Sequence, residues 1–265
     1  MTMQDGRAIA QENEIRVLRA LHRFGWLRTR DLAALVWQRW ARSPAGEPSL
    51  RPLLPTGAGL RMAQRTLRRL RETRQVLCSR APDGALIYAL AEAGARVLQQ
   101  VGVAAATGKD LMRSFSTAHY RHRCIANEIA VGAIVNGFRT ATEREIAQGR
   151  WIGGEEGVAG KRPDVLVRGD SRVWWVEVER SRKNAKDYAQ LLCWLDVVVR
   201  DAFCPSGPTL LGERLRWSRV IFVCSAAFRA KLCRDLVMTG WTNGHIDALL
   251  LFETSLYKFK DIVFS

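Results

Sequence analysis

Two apolar runs lie on either side of a Gly-Asp turn and limit the folds that this chain can adopt. Val165-Leu166-Val167 precedes the turn, and Val173-Trp174-Trp175-Val176-Glu177-Val178-Glu179 follows it. Runs of this kind around turn residues predict an antiparallel β-hairpin. If the turn centres near residue 170, Asp164 lies across from residue 176 or 177.

The second strand of this hairpin carries carboxylates on one face. Strand side chains alternate, so Glu177 and Glu179 point to one face while the residues between them point to the core. Together with Asp164, the hairpin gathers three carboxylates, whose repulsion a cation would relieve. Oxygen ligands suit Mg²⁺ or Mn²⁺. An exposed polar strand face explains the spacing equally well, with these ion-pair partners: Arg162, Arg180 and Arg182.

Upstream of this hairpin, three helical segments precede another hairpin. Helical periodicity ends near Gly25, Thr29 can cap a second helix, and a loop rich in Pro and Gly follows over residues 43–59. A third helix is predicted over residues 60–73. Strands are expected over Gln75 to Arg80 and Leu86 to Leu90, joined by an Asp-Gly turn, with a further helix from Glu92. This order predicts a winged helix-turn-helix whose third helix enters the major groove.

The predicted third helix is rich in arginine, and we expect its basic residues and the hairpin to contact DNA. The candidate DNA-binding residues are Arg61, Arg65, Arg68, Arg69, Arg71 and Arg80. Met62 is expected to face inward with Leu67 and Leu70. Because arginine contacts phosphate and guanine alike, this composition predicts nucleic-acid binding more firmly than it predicts a base sequence.

The net charge of the chain also favours a nucleic-acid partner. The 265 residues contain 41 Lys and Arg against 26 Asp and Glu, a formal net charge of +15, which favours a polyanion such as double-stranded DNA. No apolar run approaches the roughly 20 residues that cross a bilayer, and no signal peptide is evident, so we expect no membrane partner and a cytoplasmic location. The six cysteines form no CxxC pair, which argues against a zinc knuckle.

We expect two domains. The segment from Val103 to Lys109 is rich in Ala, Gly and Thr and is typical of a connection, which places a DNA-binding domain at 10–103 and a second domain at 113–265. In the second domain, strands alternate with helices, and this predicts an α/β sheet covered on both faces. A segment from Leu256 to Phe264 is either an edge strand or a docking tail.

Short motifs in the second domain resemble those of a known group of folds. Pro163-Asp164, Glu177-Val178-Glu179 and a helix expected from about Ser181 resemble the core of the PD-(D/E)XK nuclease-like fold, a mixed α/β sandwich. The chain departs from that pattern because Glu179 stands where the pattern has lysine. Lys183, one turn into the expected helix, is the candidate to bring an ammonium group to the site.

The whole order of motifs is similar to the replication-relaxation family, which includes the MobC-type relaxases of mobilisable plasmids and integrative elements. The resemblance covers residues 10–225 and rests on the predicted winged helix and on the following motifs: His119, a Glu143-Arg144-Glu145 strand, Arg162-Pro163-Asp164 and Glu177 to Lys183. It implies catalytic roles for Asp164, Glu177, Glu179 and Lys183. It also implies a Mg²⁺ or Mn²⁺ ion held by Asp164, Glu177 and Glu145, with Glu143 and the helical Glu128 as further candidates.

Two functions remain open on the sequence. In one, a relaxase-like protein binds duplex DNA through the winged helix and nicks or processes it at a transfer or replication origin in a metal-dependent reaction. In the other, a relaxosome accessory protein or transcriptional regulator keeps a degenerate nuclease fold that has lost its chemistry. Other relaxosome or conjugation proteins and a second copy of the chain are the expected protein partners.

Overall fold

The protein has a mixed α/β fold with two separate sheets. The computed structural model describes residues 6–113, 115–179, 184–204 and 207–255. The first sheet and its helices comprise α1 (Gly6–Phe24), β1 (Trp26–Arg28), α2 (Thr29–Trp37), α3 (Gly57–Glu72), β2 (Val76–Arg80), β3 (Leu86–Leu90) and α4 (Glu92–Gln100). The remaining elements are α5 (Lys109–Arg113), α6 (Thr117–Val135), β4 (Arg139–Ala141), α7 (Glu143–Ala147), β5 (Val165–Gly169), β6 (Arg172–Glu179), α8 (Ala185–Ala202), β7 (Arg216–Cys224), α9 (Ala226–Met238), α10 (Asn243–Leu249) and β8 (Leu250–Glu253).

The first sheet is antiparallel and has the strand order β1-β3-β2. Its hairpin β2–β3 turns at Gly84, where φ is +85° and a side chain would be strained. Helix α3 begins at Gly57 because the Thr56 side chain accepts a hydrogen bond from the Gly59 amide at 3.1 Å. The predicted start at Leu60 was therefore too late, since this cap offsets the weak helix propensity of two glycines.

The second sheet has the order β4-β5-β6-β7-β8. Strands β4, β5 and β6 are antiparallel, and β7 and β8 then continue parallel to β6. Helix α8 connects β6 to β7, as the crossover between parallel strands requires. The predicted hairpin is confirmed as β5–β6, and its register pairs Val165 with Val176.

Side chains of β6 alternate between the two faces of the sheet, as the sequence predicts, and each face packs against its own hydrophobic core. Trp174, Val176 and Val178 belong to a core that reaches α6, whereas Trp175 belongs to a core under α8. The first of these cores also contains α1, α2 and β3, so apolar packing continues across residues 103–113. The domain boundary at 103–113 stays a prediction, and both sides of it pack on one shared cluster.

Several local predictions were wrong for identifiable reasons. The Glu143-Arg144-Glu145 segment is helix α7, because Thr142 and Glu145 form a capping box in which each side chain bonds the other's backbone amide. Met62 is 38% exposed, and Ala63 and Thr66 take the inward positions instead. Among the described residues, no helix is both long and apolar enough to cross a membrane. The segment from Leu256 to Phe264 lies outside the described residues.

Candidate functional site

Strands β5 and β6 bring Asp164 and Glu177 together. The pairing of Val165 with Val176 places Asp164 directly across from Glu177, and the Asp164 amide donates to the Val176 carbonyl at 3.0 Å. The predicted juxtaposition across the hairpin is therefore confirmed. We call Asp164, Glu177, Lys161 and His122 the acidic corner.

Glu177 is held in an ion pair inside the protein. Its side chain is almost fully buried, Lys161 Nζ lies 2.8 Å from its Oε2, and Trp175 Nε1 donates to its Oε1 at 2.6 Å. Burial raises the pKa of Glu177 to about 7, and the nearby charge of Asp164 adds to this rise. Lys161 opposes the rise because it stabilises the ionised carboxylate.

Asp164 is likewise engaged by protein groups. Its Oδ2 accepts a hydrogen bond from the Val178 amide at 2.7 Å, and its Oδ1 lies 3.1 Å from His122 Nε2. Burial lowers the pKa of His122, but the hydrogen bond and charge of Asp164 outweigh burial and raise this pKa to about 8. His122 is therefore mostly protonated at neutral pH and forms an ion pair with Asp164.

A tight turn presents Lys161 to the corner. Val158 and Lys161 pair across the turn, and its two central residues both have positive φ, 51° at Ala159 and 76° at Gly160. Positive φ at both positions is the geometry of a type I′ turn, which is strained for alanine. Sequence reasoning missed Lys161, although it lies only three residues before Asp164.

The other predicted site residues lie in different surroundings. Glu179 is buried on the same face of β6 as Glu177, whereas Glu145 pairs with Arg23 at 2.9 Å and caps α7. Glu128 is buried against Arg28, which also contacts Asp31. Lys183 lies outside the described residues, as do Arg180 and Arg182.

The acidic corner is a poor match to the divalent metal that the resemblance implies. The described residues contain no group of three or more His, Cys, Asp or Glu side chains arranged to hold a metal ion. Both oxygens of Asp164 and both oxygens of Glu177 already face protein groups, among them the ammonium of Lys161. In this arrangement the acidic corner does not fit an open Mg²⁺ or Mn²⁺ site.

A second candidate site is the outer face of α3. Arg61, Arg65 and Arg68 are exposed at spacings of four and three residues, which is one side of a helix. The guanidinium groups of these three residues have no ion-pair partner within the described ranges. Arg69 is also exposed but pairs with Glu14 of α1 at 2.9 Å.

The two other predicted DNA contacts are exposed as well. Arg71 lies in the last turn of α3, and Arg80 ends β2, where it donates to the Gly84 carbonyl at the hairpin turn. The structure thus places the predicted DNA-binding residues on α3 and on the adjoining hairpin. Comparisons with protein-family models, with curated proteins and with solved structures found no match to this chain.

Proposed function

We propose that the protein binds duplex DNA through a winged helix-turn-helix and acts in DNA processing on a mobile element. The supporting arrangement is the order of helix, strand, two helices and hairpin in residues 6–90, closed by the antiparallel sheet β1-β3-β2. In a winged helix of this order, α3 is the recognition helix and the β2–β3 hairpin touches the flanking backbone. The similarity to the replication-relaxation family extends the proposal to transfer or replication origins.

The observation that carries the proposal is the row formed by Arg61, Arg65 and Arg68. Helix α3 buries its opposite side through Ala63, Leu67 and Leu70, so the arginine row is held outward by the core. The packed helix fixes the backbone positions of these residues, so all three guanidinium groups can reach phosphates and base edges from one side of α3. The excess positive charge of the chain, +15, supports the same partner.

A binding measurement with matched charge removal tests this proposal. Fluorescence anisotropy would compare the wild type with Arg61→Gln/Arg65→Gln/Arg68→Gln on a labelled duplex at fixed salt. The control, Arg200→Gln/Arg214→Gln/Arg234→Gln, removes the same three charges from exposed positions outside α3. We expect the affinity of the α3 variant to fall at least tenfold and that of the control to fall less than threefold.

Equal decreases in the two variants would refute the role of α3, because only net charge would then matter. A salt titration adds a second readout. Removing one arginine that neutralises a phosphate lowers the slope of log K against log salt by about 0.9, so the α3 variant should show a slope smaller by about 2 to 3.

A metal-dependent nicking activity is the second candidate function. It is favoured by the position of Asp164, Glu177 and Lys161 at one corner of the sheet, since the PD-(D/E)XK resemblance implies acidic residues and a lysine at such a site. In this account Lys161 takes the role that the sequence predicts for Lys183. The carboxylate oxygens of Asp164 and Glu177 already contact protein groups, which favours the alternative of an accessory protein with a degenerate nuclease fold.

A nicking assay on supercoiled plasmid separates these two functions. The wild type, Asp164→Ala and Glu177→Ala would be compared with Mg²⁺ or Mn²⁺ and with EDTA. Relaxed product that requires both the metal and Glu177 establishes a nuclease. Absence of product, together with duplex binding that survives both substitutions, establishes a binding protein.

A further inference from the structure

An apolar groove lies where α1, the end of α2 and the end of α6 meet. We call it the Trp40 groove, and its volume is about 270 Å³. Its floor consists of buried apolar side chains contributed by all three helices: Phe24, Leu35, Val36 and Ile134. Since these residues also belong to the shared core, the groove is a fixed feature of the packing between α1, α2 and α6.

The rim of the groove is basic and aromatic. Arg16, Arg19 and Arg23 follow one another along α1, and Trp40 stands at the other side with 45% of its surface exposed. Arg23 forms an ion pair with Glu145. Neither Arg16 nor Arg19 has an ion pair or a side-chain hydrogen bond within the described part of the chain. Trp40 is fixed in place because its Nε1 donates to the Leu35 carbonyl at 2.8 Å.

The groove faces away from the proposed DNA-binding helix. Glu14 marks the side of α1 that contacts α3, because it pairs with Arg69. At 3.6 residues per turn, Arg19 and Arg16 lie about 140° and 200° around α1 from Glu14. A molecule seated in the groove would therefore leave the arginine row of α3 accessible.

We propose that the Trp40 groove is a docking site for an acidic amphipathic helix of a partner protein. Apolar residues of that helix would fill the floor between Phe24 and Ile134, and its carboxylates would pair with Arg16 and Arg19. This is the helix-in-groove mode of recognition, with charge complementarity at the rim. The inference does not rest on DNA binding by α3.

The floor favours a protein side chain over a nucleic-acid base. A base inserted between Phe24, Leu35 and Ile134 would leave its polar edge without hydrogen-bond partners, which is costly in an apolar site. A leucine or phenylalanine side chain has no such groups to satisfy, and its burial is favourable.

Selection from a displayed library of random 16-residue peptides tests the proposal on the full chain. Peptides that bind the wild type would be measured by anisotropy against Arg16→Gln/Arg19→Gln and against Ala20→Phe, which fills the groove from α1. The matched control is Arg200→Gln/Arg214→Gln, which removes equal charge elsewhere. Melting curves would confirm that each variant is folded.

We expect the selected peptides to combine Asp or Glu with Leu, Phe or Trp at helical spacing. Their affinity should fall at least tenfold in both groove variants and less than twofold in the control. The proposal is overturned if no selected peptide distinguishes the wild type from the groove variants. It is also overturned if a 15-nucleotide oligothymidine binds the wild type but not Arg16→Gln/Arg19→Gln, because the groove would then be a nucleic-acid site.

Discussion

Replacing Lys161 with methionine should destabilise the protein by an amount that grows with pH. The substitution removes the ammonium that lies 2.8 Å from the buried carboxylate of Glu177. Burial has already raised the pKa of Glu177 from its usual 4.5 to about 7, so much of the stabilisation by Lys161 develops only as pH rises above neutrality. The ion pair therefore contributes little stability at pH 7.

The magnitude follows from proton linkage. In Lys161→Met the pKa of Glu177 rises further, because its nearest cation is gone while burial and Asp164 remain. Because the variant's carboxyl group has a higher pKa in the folded state, the unfolding free energy of the variant falls below that of the wild type as pH rises. The difference grows by about 1.4 kcal/mol per pH unit above the wild-type pKa. The decrease in unfolding free energy should be below about 1 kcal/mol at pH 7 and about 2 kcal/mol at pH 8.5.

Urea unfolding followed by tryptophan fluorescence at both pH values measures this difference. Lys186→Met is the matched control, since Lys186 is exposed in the first turn of α8 and its replacement should cost little stability at either pH. In a Glu177→Gln background, Lys161→Met should cost the same at both pH values, because the carboxyl group whose pKa the lysine changes is absent, and His122 titrates in both proteins alike. A destabilisation of Lys161→Met that is equal at pH 7 and pH 8.5 would refute the reasoning.

Three further substitutions test the packing. Arg28→Met removes the cation that the buried carboxylates of Asp31 and Glu128 share, so Asp31 loses its ion pair and Glu128 keeps only Arg30 at 3.3 Å. The substitution should cost about 3–5 kcal/mol in urea unfolding, and a cost under about 1 kcal/mol would contradict the buried pairing. Gly94→Ala places a Cβ about 2.3 Å from the Gln75 carbonyl oxygen and should lower stability by about 1–3 kcal/mol. Gly244→Ala in α10 places a Cβ in ordinary contact with Thr242 Oγ1, at 3.6 Å, and should raise stability by up to about 1 kcal/mol. Melting temperatures that shift in the same direction for both glycine substitutions would contradict these two expectations.

Much of the fold follows from local signals. Alternating apolar residues and the turn near residue 170 were enough to place β5 and β6, and the period of two correctly separated the faces of Trp174 and Glu177. The hairpin β2–β3 and the helix from Glu92 were predicted from turn residues and apolar runs in the same way. These signals suffice because each depends on neighbours in sequence.

The acidic corner was predicted only in part. The register brought Asp164 to Glu177, but the partner of Glu177 comes from a turn whose positive φ values are not specified by the Ala159-Gly160 sequence. Glu145 was assigned to a strand, although Thr142 and Glu145 already have the spacing of a capping box. The capping-box spacing is thus a local signal in the sequence that favours a helix over a strand here.

Features that depend on tertiary docking could not be predicted. The pairing of Arg69 with Glu14 joins α3 to α1, and the contact of His122 with Asp164 joins α6 to β5. Periodicity reports which face of a helix is apolar but not which distant charge lies beside it. The Trp40 groove belongs to the same class, since it exists only after α1, α2 and α6 have packed.

Photo-crosslinking from α3 tests whether this helix contacts duplex DNA. A benzophenone amino acid would replace Met62, which is 38% exposed beside the arginine row, or Met238, which is 80% exposed at the end of α9. After irradiation with a labelled duplex at a protein concentration that saturates binding, we predict a covalent DNA adduct from position 62 and background yield from position 238. Equal yields, or an adduct only from position 238, would contradict the assignment of α3 as the DNA-binding helix.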